Sequence, residues 1–254
     1  MRSFRAAAEL LITGIRINAI CREQHDGRMF FVKRRRLIAG PVLALANAFF
    51  RLASARVLAL SKVNAWQRWE VDSFQRLHSP RFRAFAIDPG TVLVEELPGV
   101  NLTPLLDNGA MDGAMAAAAG RELRRAHALH CSAYEDFWSH GDPHVGNFVF
   151  DPAESCARLI DFEVMHDRTI PAPARHADDV LVVLQDMLGR APSDRWISFA
   201  RAFIEGYDCA AIAASAVQQL DAPSGAARFW WGVRTSWLPD DAARERIRDL
   251  RAAL

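Results

Sequence analysis

Apolar and polar positions alternate along the chain from residue 7 to 33, through LLITGIRINAI and RMFFVK, and again from 82 to 97 in FRAFAIDPGTVLVEEL. A period of two belongs to half-buried strands. His25-Asp26-Gly27 and Asp88-Pro89-Gly90 interrupt these runs, and such turn residues between apolar segments predict two hairpins. Between them, SKVNAWQRWEVDSFQRLH (61–78) places Trp66, Glu70, Phe74 and Leu77 at spacings of four, four and three, which predicts a helix with Ser61 as its cap. That spacing puts a carboxylate on the buried stripe. A buried carboxylate is costly unless a cation meets it, so Glu70 calls for a partner.

Beyond Pro98-Gly99 the period changes. MDGAMAAAAGRELRRAHALH (111–130) predicts a helix with Met115, Ala119, Leu123, Ala126 and His130 roughly aligned, followed by a strand FVF, a turn DPAESC and a second strand RLIDFE. From Asp178 onward the pattern is almost wholly helical, including DDVLVVLQDML, SDRWISFARAFIEGY and a last segment that opens on a proline and two acids. The chain therefore reads as α+β, with a small sheet plus one helix in residues 1–97 and a mainly helical part in 98–254. LIAGPVLALANAFF (37–50) follows Lys33-Arg34-Arg35-Arg36 and marks residues 34–60 as an apolar and basic insert. It falls short of the ~20 apolar residues a bilayer crossing needs. Such a helix either packs on its own domain or makes peripheral contact with an anionic membrane surface.

Composition narrows the classes. A hydrophobic share of 51% with 24% charged residues is that of a folded protein. Thirty-one basic side chains against thirty acidic ones leave a net charge of +1, which gives no footprint for a nucleic-acid partner. Cys21, Cys131, Cys156 and Cys209 form no Cys-x-x-Cys pair, and the N-terminus meets charged residues too early for a secretory signal. The expected location is cytoplasmic, at the inner face of the membrane if the insert touches it. Lys33 and Lys62 are the only lysines, so a lysine here signals a need for more than any cation.

Chemistry concentrates in HGDPHVGN (140–147). His140, Asp142 and His144, with His166 and His176 downstream, have the ligand types of a transition-metal site that activates water, the reading of a metal-dependent hydrolase. The same loop also suits phosphoryl transfer. Transfer needs a group to orient the attacking hydroxyl, oxygen ligands for Mg²⁺ and a cation on the other phosphates. Asp142, Asn147 five residues on, and the Asp161-Phe162-Glu163 triplet after a strand-turn-strand supply those kinds of group.

HGDPHVGNFVFDPAESCARLIDFE resembles the catalytic and metal-binding segments of the protein-kinase-like superfamily, nearest to aminoglycoside phosphotransferases and to the lipopolysaccharide kinases that act on Kdo or heptose. The resemblance implies a two-lobed kinase-like fold and an enzyme that moves the γ-phosphoryl of ATP, with Mg²⁺, to an alcohol. It implies Asp142 as the catalytic aspartate, with His144 beside it where protein kinases carry lysine, and Asn147 and Asp161 as metal ligands. Glu163 stands where protein kinases have glycine and adds a third metal-site acid. Lys33, at the end of FFVK, would hold the α and β phosphates, fixed by Glu70. Backbone groups near Glu95 and Leu97 in VLVEELPG would bond the adenine, and Asp178 or Asp179 in RHADDVLVVL would anchor the catalytic loop.

Departures from the family pattern shape the expected substrate. No Gly-x-Gly-x-x-Gly lies near the N-terminus, where Thr13-Gly14-Ile15 is the one turn available, and bulky Phe31 shares a strand face with Lys33. Residues 164–177 are few for a phosphorylatable activation loop and contain no Ala-Pro-Glu. The acceptor implied is a small molecule or a glycolipid sugar. An atypical Ser/Thr protein kinase and a kinase-like binding module without turnover are the other readings.

Overall fold

The computed structural model describes residues 17–254. The expected strand residues 7–16 and the Thr13-Gly14-Ile15 turn lie outside them. The described chain forms two compact units, residues up to 45 with 60–96, and residues 46–59 with 97–254.

The first unit holds a four-stranded antiparallel sheet in the order β1 (Asn18–His25), β2 (Arg28–Arg35), β5 (Thr91–Glu95), β4 (Ala84–Asp88). Asp26 and Gly27, both at positive φ, close the β1–β2 hairpin in two residues, as a turn matching the strand twist requires. Phe30, Val32 and Leu93 form a core cluster of the sheet. Helix α2 (Val63–His78) packs on β4 and β5 and buries Trp66, Glu70, Phe74 and Leu77. Ser61 does not cap it: Lys62 takes the N-cap position with no side-chain bond. Instead Gln67 seats the helix on the β4–β5 hairpin, its Nε2 donating to the carbonyls of Asp88 and Thr91. Arg35 joins three elements, donating to Asn18 Oδ1 (3.1 Å) and the Leu60 carbonyl (2.9 Å) while lying 4.4 Å over the Trp66 ring.

Helix α1 (Ala39–Leu52) begins among the residues of the first unit and ends among those of the second. Reading 34–60 as an insert of the first lobe therefore needs correction: residues 46–59 group with the second unit. Pairing drives this. β3 (Val57–Ala59) forms an antiparallel ladder with β11 (Val164–His166), Val57 facing His166 and Ala59 facing Val164. Asn47 brackets Ala59 from both sides of its amide, at 2.8 and 2.7 Å. Phe49 and Phe50 lie edge-on against Phe229 and Trp230, at centroid distances of 5.1 and 4.8 Å.

The rest of the second unit is helical around a small sheet, β10 (Cys156–Leu159), β9 (Phe148–Asp151) and β6 (Val100–Asn101). Short helix α3 (Leu102–Asp107) follows β6 directly, capped by Asn101, whose side chain accepts from the Thr103 amide. Helix α4 (Gly113–His127) ends before His130, which lies in the short strand β7 (His130–Cys131), paired with β8 (Asp136–Phe137), rather than on the helix face expected of it. Helix α5 (Ala172–Arg190) runs through the core and is buried along most of its length. Helix α6 (Trp196–Tyr207) approaches α4 so closely that a Cβ on Gly120 would stand 2.2 Å from the Phe203 carbonyl oxygen, and one on Gly206 2.2 Å from that of Ala117. Helices α7 (Ala210–Gln218), α8 (Ala226–Arg234) and α9 (Asp240–Ala253) complete it.

Candidate active site

In the second unit, residues 138–147 run from β8 to β9 through a bend and one 3₁₀ turn, Val145–Asn147. Asp179 holds this loop. Both its carboxylate oxygens accept loop amides, His140 N–H at 2.7 Å and Gly141 N–H at 2.8 Å, and Oδ2 also meets His127 Nε2 at 2.9 Å. Burial alone would raise the Asp179 carboxyl, but His166, His127 and His140 around it win and hold it well below the usual carboxylate range. Of the two anchoring aspartates the sequence offered, the role falls to Asp179. Asp178 faces elsewhere, toward His166 (3.3 Å) and Arg234 (3.6 Å). A second carboxylate, Asp186, accepts the Val145 amide at 2.8 Å. Its carboxyl is pushed up by burial, opposed by His144 and that amide.

His140 ties the loop to the segment that carries Asp161. Fully buried, it is pushed below the usual imidazole range by burial and stays neutral. Its Nε2–H donates to the Ile160 carbonyl at 3.0 Å, and its bare Nδ1 accepts the Asp142 amide at 3.3 Å. Both ring nitrogens are thus used. Those of His166 are used too, on Ser139 Oγ (2.9 Å) and Asp178. This removes His140 and His166 from the expected His-x-Asp-x-His metal set. Among the described residues the one group of His, Cys, Asp and Glu ligand atoms close enough to share an ion is Asp151, Glu154 and Cys156, away from that motif.

Asn147 closes the arrangement. Its Nδ2 donates to the Asp142 carbonyl at 2.8 Å, which turns the amide oxygen away, and its own carbonyl accepts the Ile160 amide at 2.9 Å. The next residue, Asp161, sits in the left-handed region at φ 68°, which aspartate tolerates better than most non-glycine residues. Gly141, at φ 94°, presses on the other side of this segment, where a Cβ would meet Val164 and Met165 at 3.3–3.4 Å. The predicted Asp142, Asn147 and Asp161 are therefore on two segments stitched together. Asp142, His144, Asp161 and Glu163 are half-exposed, while Asn147 is buried. His144 Nδ1 accepts the Gly146 amide at 3.1 Å. An amide oxygen and two carboxylates are the hard oxygen donors Mg²⁺ takes, so Asn147, Asp161 and Glu163 fit that ion by chemistry.

In the first unit Lys33 Nζ donates to Glu70 Oε1 at 2.6 Å, both buried, so the acid on the helix stripe has its cation. The Glu95 amide is taken by the Arg83 carbonyl, and its buried carboxylate by Arg28 (2.8 Å) and the Arg83 amide (3.0 Å). Glu96 pairs with Arg22 at 2.6 Å. Both acids are paired, and the Glu95 amide is not available to a base. Leu97 is buried at the start of the second unit. Sequence reasoning took His166 for a metal ligand rather than a partner of Ser139 and Asp178, and it missed His127, Ser139, Asp186 and Tyr207, whose hydroxyl meets His127 Nδ1 at 2.8 Å. Their partners stand up to 80 residues away, and no local pattern marks them.

No family model matches this chain, and neither does any curated protein sequence. Solved structures do. One is a Mycobacterium tuberculosis protein, Rv3197, in complex with erythromycin, matched over 75% of this chain and 52% of its own at 15% identity and a TM-score of 0.41. This chain thus spans about half the length of that protein. Another is an ethanolamine kinase of Plasmodium vivax, matched over 93% of this chain and 79% of its own at 8% identity and a TM-score of 0.52. At that identity the likeness is one of fold, and the chain is an α+β protein of the kinase-like fold, with a small antiparallel sheet unit and a helical remainder.

Proposed function

We propose that the chain is a phosphotransferase that moves the γ-phosphoryl of ATP to a hydroxyl of a small molecule or of a glycolipid sugar, as lipopolysaccharide kinases do. The observation that carries this reading is the joint support of residues 140–147 and 160–161 by Asp179 and His140, which leaves the Asp142 side chain half-exposed beside a segment bearing Asp161. In this reading Asp142 takes the proton of the acceptor hydroxyl as its oxygen bonds to the γ-phosphorus. The bond from that phosphorus to the β,γ-bridging oxygen breaks, and ADP leaves with the electron pair. Asn147, Asp161 and Glu163 hold Mg²⁺, which neutralises charge on the phosphate oxygens when bound. Lys33, kept extended by Glu70, binds the α and β phosphates, and backbone groups around Leu97 receive the base.

A small acceptor is favoured over a protein by the segment after Glu163. β11 begins at Val164 and α5 at Ala172, so residues 167–171 alone lie outside regular structure there, too little for a peptide platform. Thermal unfolding with Mg-ATP, with ATP plus chelator and with Zn²⁺ alone tests the reading. Saturation at a hundred times the dissociation constant stabilises by about 2.7 kcal/mol. A midpoint shift that needs both ATP and Mg²⁺ is expected, together with sugar-dependent ADP release that Asp142→Ala abolishes while nucleotide still binds. A shift with Zn²⁺ alone would revive the hydrolase, and turnover undiminished in Asp142→Ala would sink the assignment.

A further inference from the structure

The sequence from Gly27 to Trp69 contains no Asp or Glu and nine basic residues, Arg28, Lys33, Arg34, Arg35, Arg36, Arg51, Arg56, Lys62 and Arg68. Helix α1 lies within this stretch and is two-faced. One face is used by the fold: Ala39, Leu43 and Phe50 are buried. The other carries Leu37 and Ile38 just ahead of the first turn, then Pro41, Ala44, Leu45, Ala48 and Leu52, all exposed. Steps of three and four residues put these on one stripe. Leu37 is fully open, and Leu45 and Leu52 are 71% and 73% exposed. Such a continuous apolar face needs an occupant. Arg34, Arg36 and Arg51 flank the stripe at its two ends, are exposed, and form no ion pair among the described residues. Two arginines of the same run are committed elsewhere, Arg35 to Asn18 and Leu60, Arg56 to the Ala174 carbonyl.

We infer that the exposed face of α1 rests on an anionic lipid surface, the leucines entering the acyl boundary and Arg34, Arg36 and Arg51 meeting lipid phosphates. Charge decides among occupants. A second copy would bring the same arginines against their equals, whereas negative headgroups complement them. The helix is too short to cross a bilayer, and no described helix is long and apolar enough to do so, so the contact is along the surface.

The test is cosedimentation of the full chain with vesicles of phosphatidylcholine alone and of phosphatidylcholine with phosphatidylglycerol, in low and high salt. Binding to the anionic vesicles is expected, weaker in high salt. Each arginine near such a surface is worth about fivefold in affinity, so Arg34→Gln with Arg51→Gln should weaken it at least tenfold. Leu37→Ser, Leu45→Ser and Leu52→Ser together should abolish it while leaving the unfolding midpoint within a few degrees, since all three sites are exposed. Ile87→Ser, at an exposed site on β4, should change nothing. No binding to anionic vesicles overturns the inference, as does binding that survives the triple substitution. So does self-association, measured by sedimentation velocity, that the triple substitution removes in the absence of lipid binding. None of these readouts depends on phosphoryl transfer.

Discussion

His127 and His176 lie ring on ring, 3.9 Å between centroids and 6° from parallel, inside the second unit. Two imidazoles at that distance cannot both carry a proton without cost. His176 is pushed down to about 3 by burial and by His127, and His127 and His140 are lowered by burial as well. Unfolded, each takes up a proton near pH 6.5. Between that pH and its folded value, each histidine is protonated only in the unfolded chain, so stability falls as pH drops. The slope is about 1.4 kcal/mol per pH unit for each such group. Urea unfolding midpoints should therefore decline steadily from pH 7 to pH 4, and His176→Gln should flatten the decline. A midpoint constant over that range would show that the rings are protonated in the fold.

Removing the loop anchor should be severe. Asp179→Ala leaves two buried amides and His127 without their acceptor, at about 1–3 kcal/mol for each unsatisfied group. Loss of at least 3 kcal/mol by urea unfolding is expected. Asp178→Ala, whose partners are His166 and Arg234, should leave both loop amides bonded and cost turnover less than Asp179→Asn does.

Lys33 and Glu70 make a sharper case, since a buried pair broken on one side leaves a bare charge. Lys33→Met should destabilise by about 3–5 kcal/mol at pH 7. The deficit should shrink on acidification, because protonation relieves a buried carboxylate that has lost its lysine. Lys33→Met with Glu70→Leu should recover most of the stability but no nucleotide binding. A double-mutant cycle by urea unfolding checks the first part and a thermal shift with Mg-ATP the second.

Two glycines on α4 should respond in opposite ways. Gly120→Ala drives a methyl onto the Phe203 carbonyl and should cost about 1–3 kcal/mol or more. At Gly113 a Cβ would meet only Ala202 Cβ at 3.7 Å, so Gly113→Ala should be neutral or stabilising by up to ~1 kcal/mol. Differential scanning calorimetry separates the two.

Much of this was readable along the chain where the signal is local. Asp26-Gly27 and Pro89-Gly90 dictate tight turns, so β1–β2 and β4–β5 were legible. Trp66, Glu70, Phe74 and Leu77 share a helical face, so the buried acid announced a cation that Lys33 supplies. Asp142, Asn147 and Asp161 were grouped by the kinds of side chain that phosphoryl transfer needs, and the structure joins their two segments through Ile160. Ser61 is not the cap because the helix starts at Val63, with Lys62 at the N-cap position, and the bonds of Gln67 to a hairpin from another part of the chain leave no local mark. The β3–β11 ladder joins residues more than a hundred positions apart, and three-residue strands carry no pattern of their own. Asp186 and Tyr207 look like ordinary helix residues until their distant partners are known.

The ladder between β3 and β11 bears on how the chain can be divided. Because residues 46–59 group with 97–254, the backbone passes between the two units at 45–46, at 59–60 and at 96–97. A fragment starting at Leu97 would lack the strand that covers β11, the Asn47 bracket on it, and the two phenylalanines beneath Phe229 and Trp230. During synthesis the helical unit must hold an early segment in reserve until its partner strand emerges. A protease nick at 96–97 would yield two polypeptides that remain one particle. Expressing the units separately calls for a rearranged chain in which 46–59 is carried with the C-terminal part.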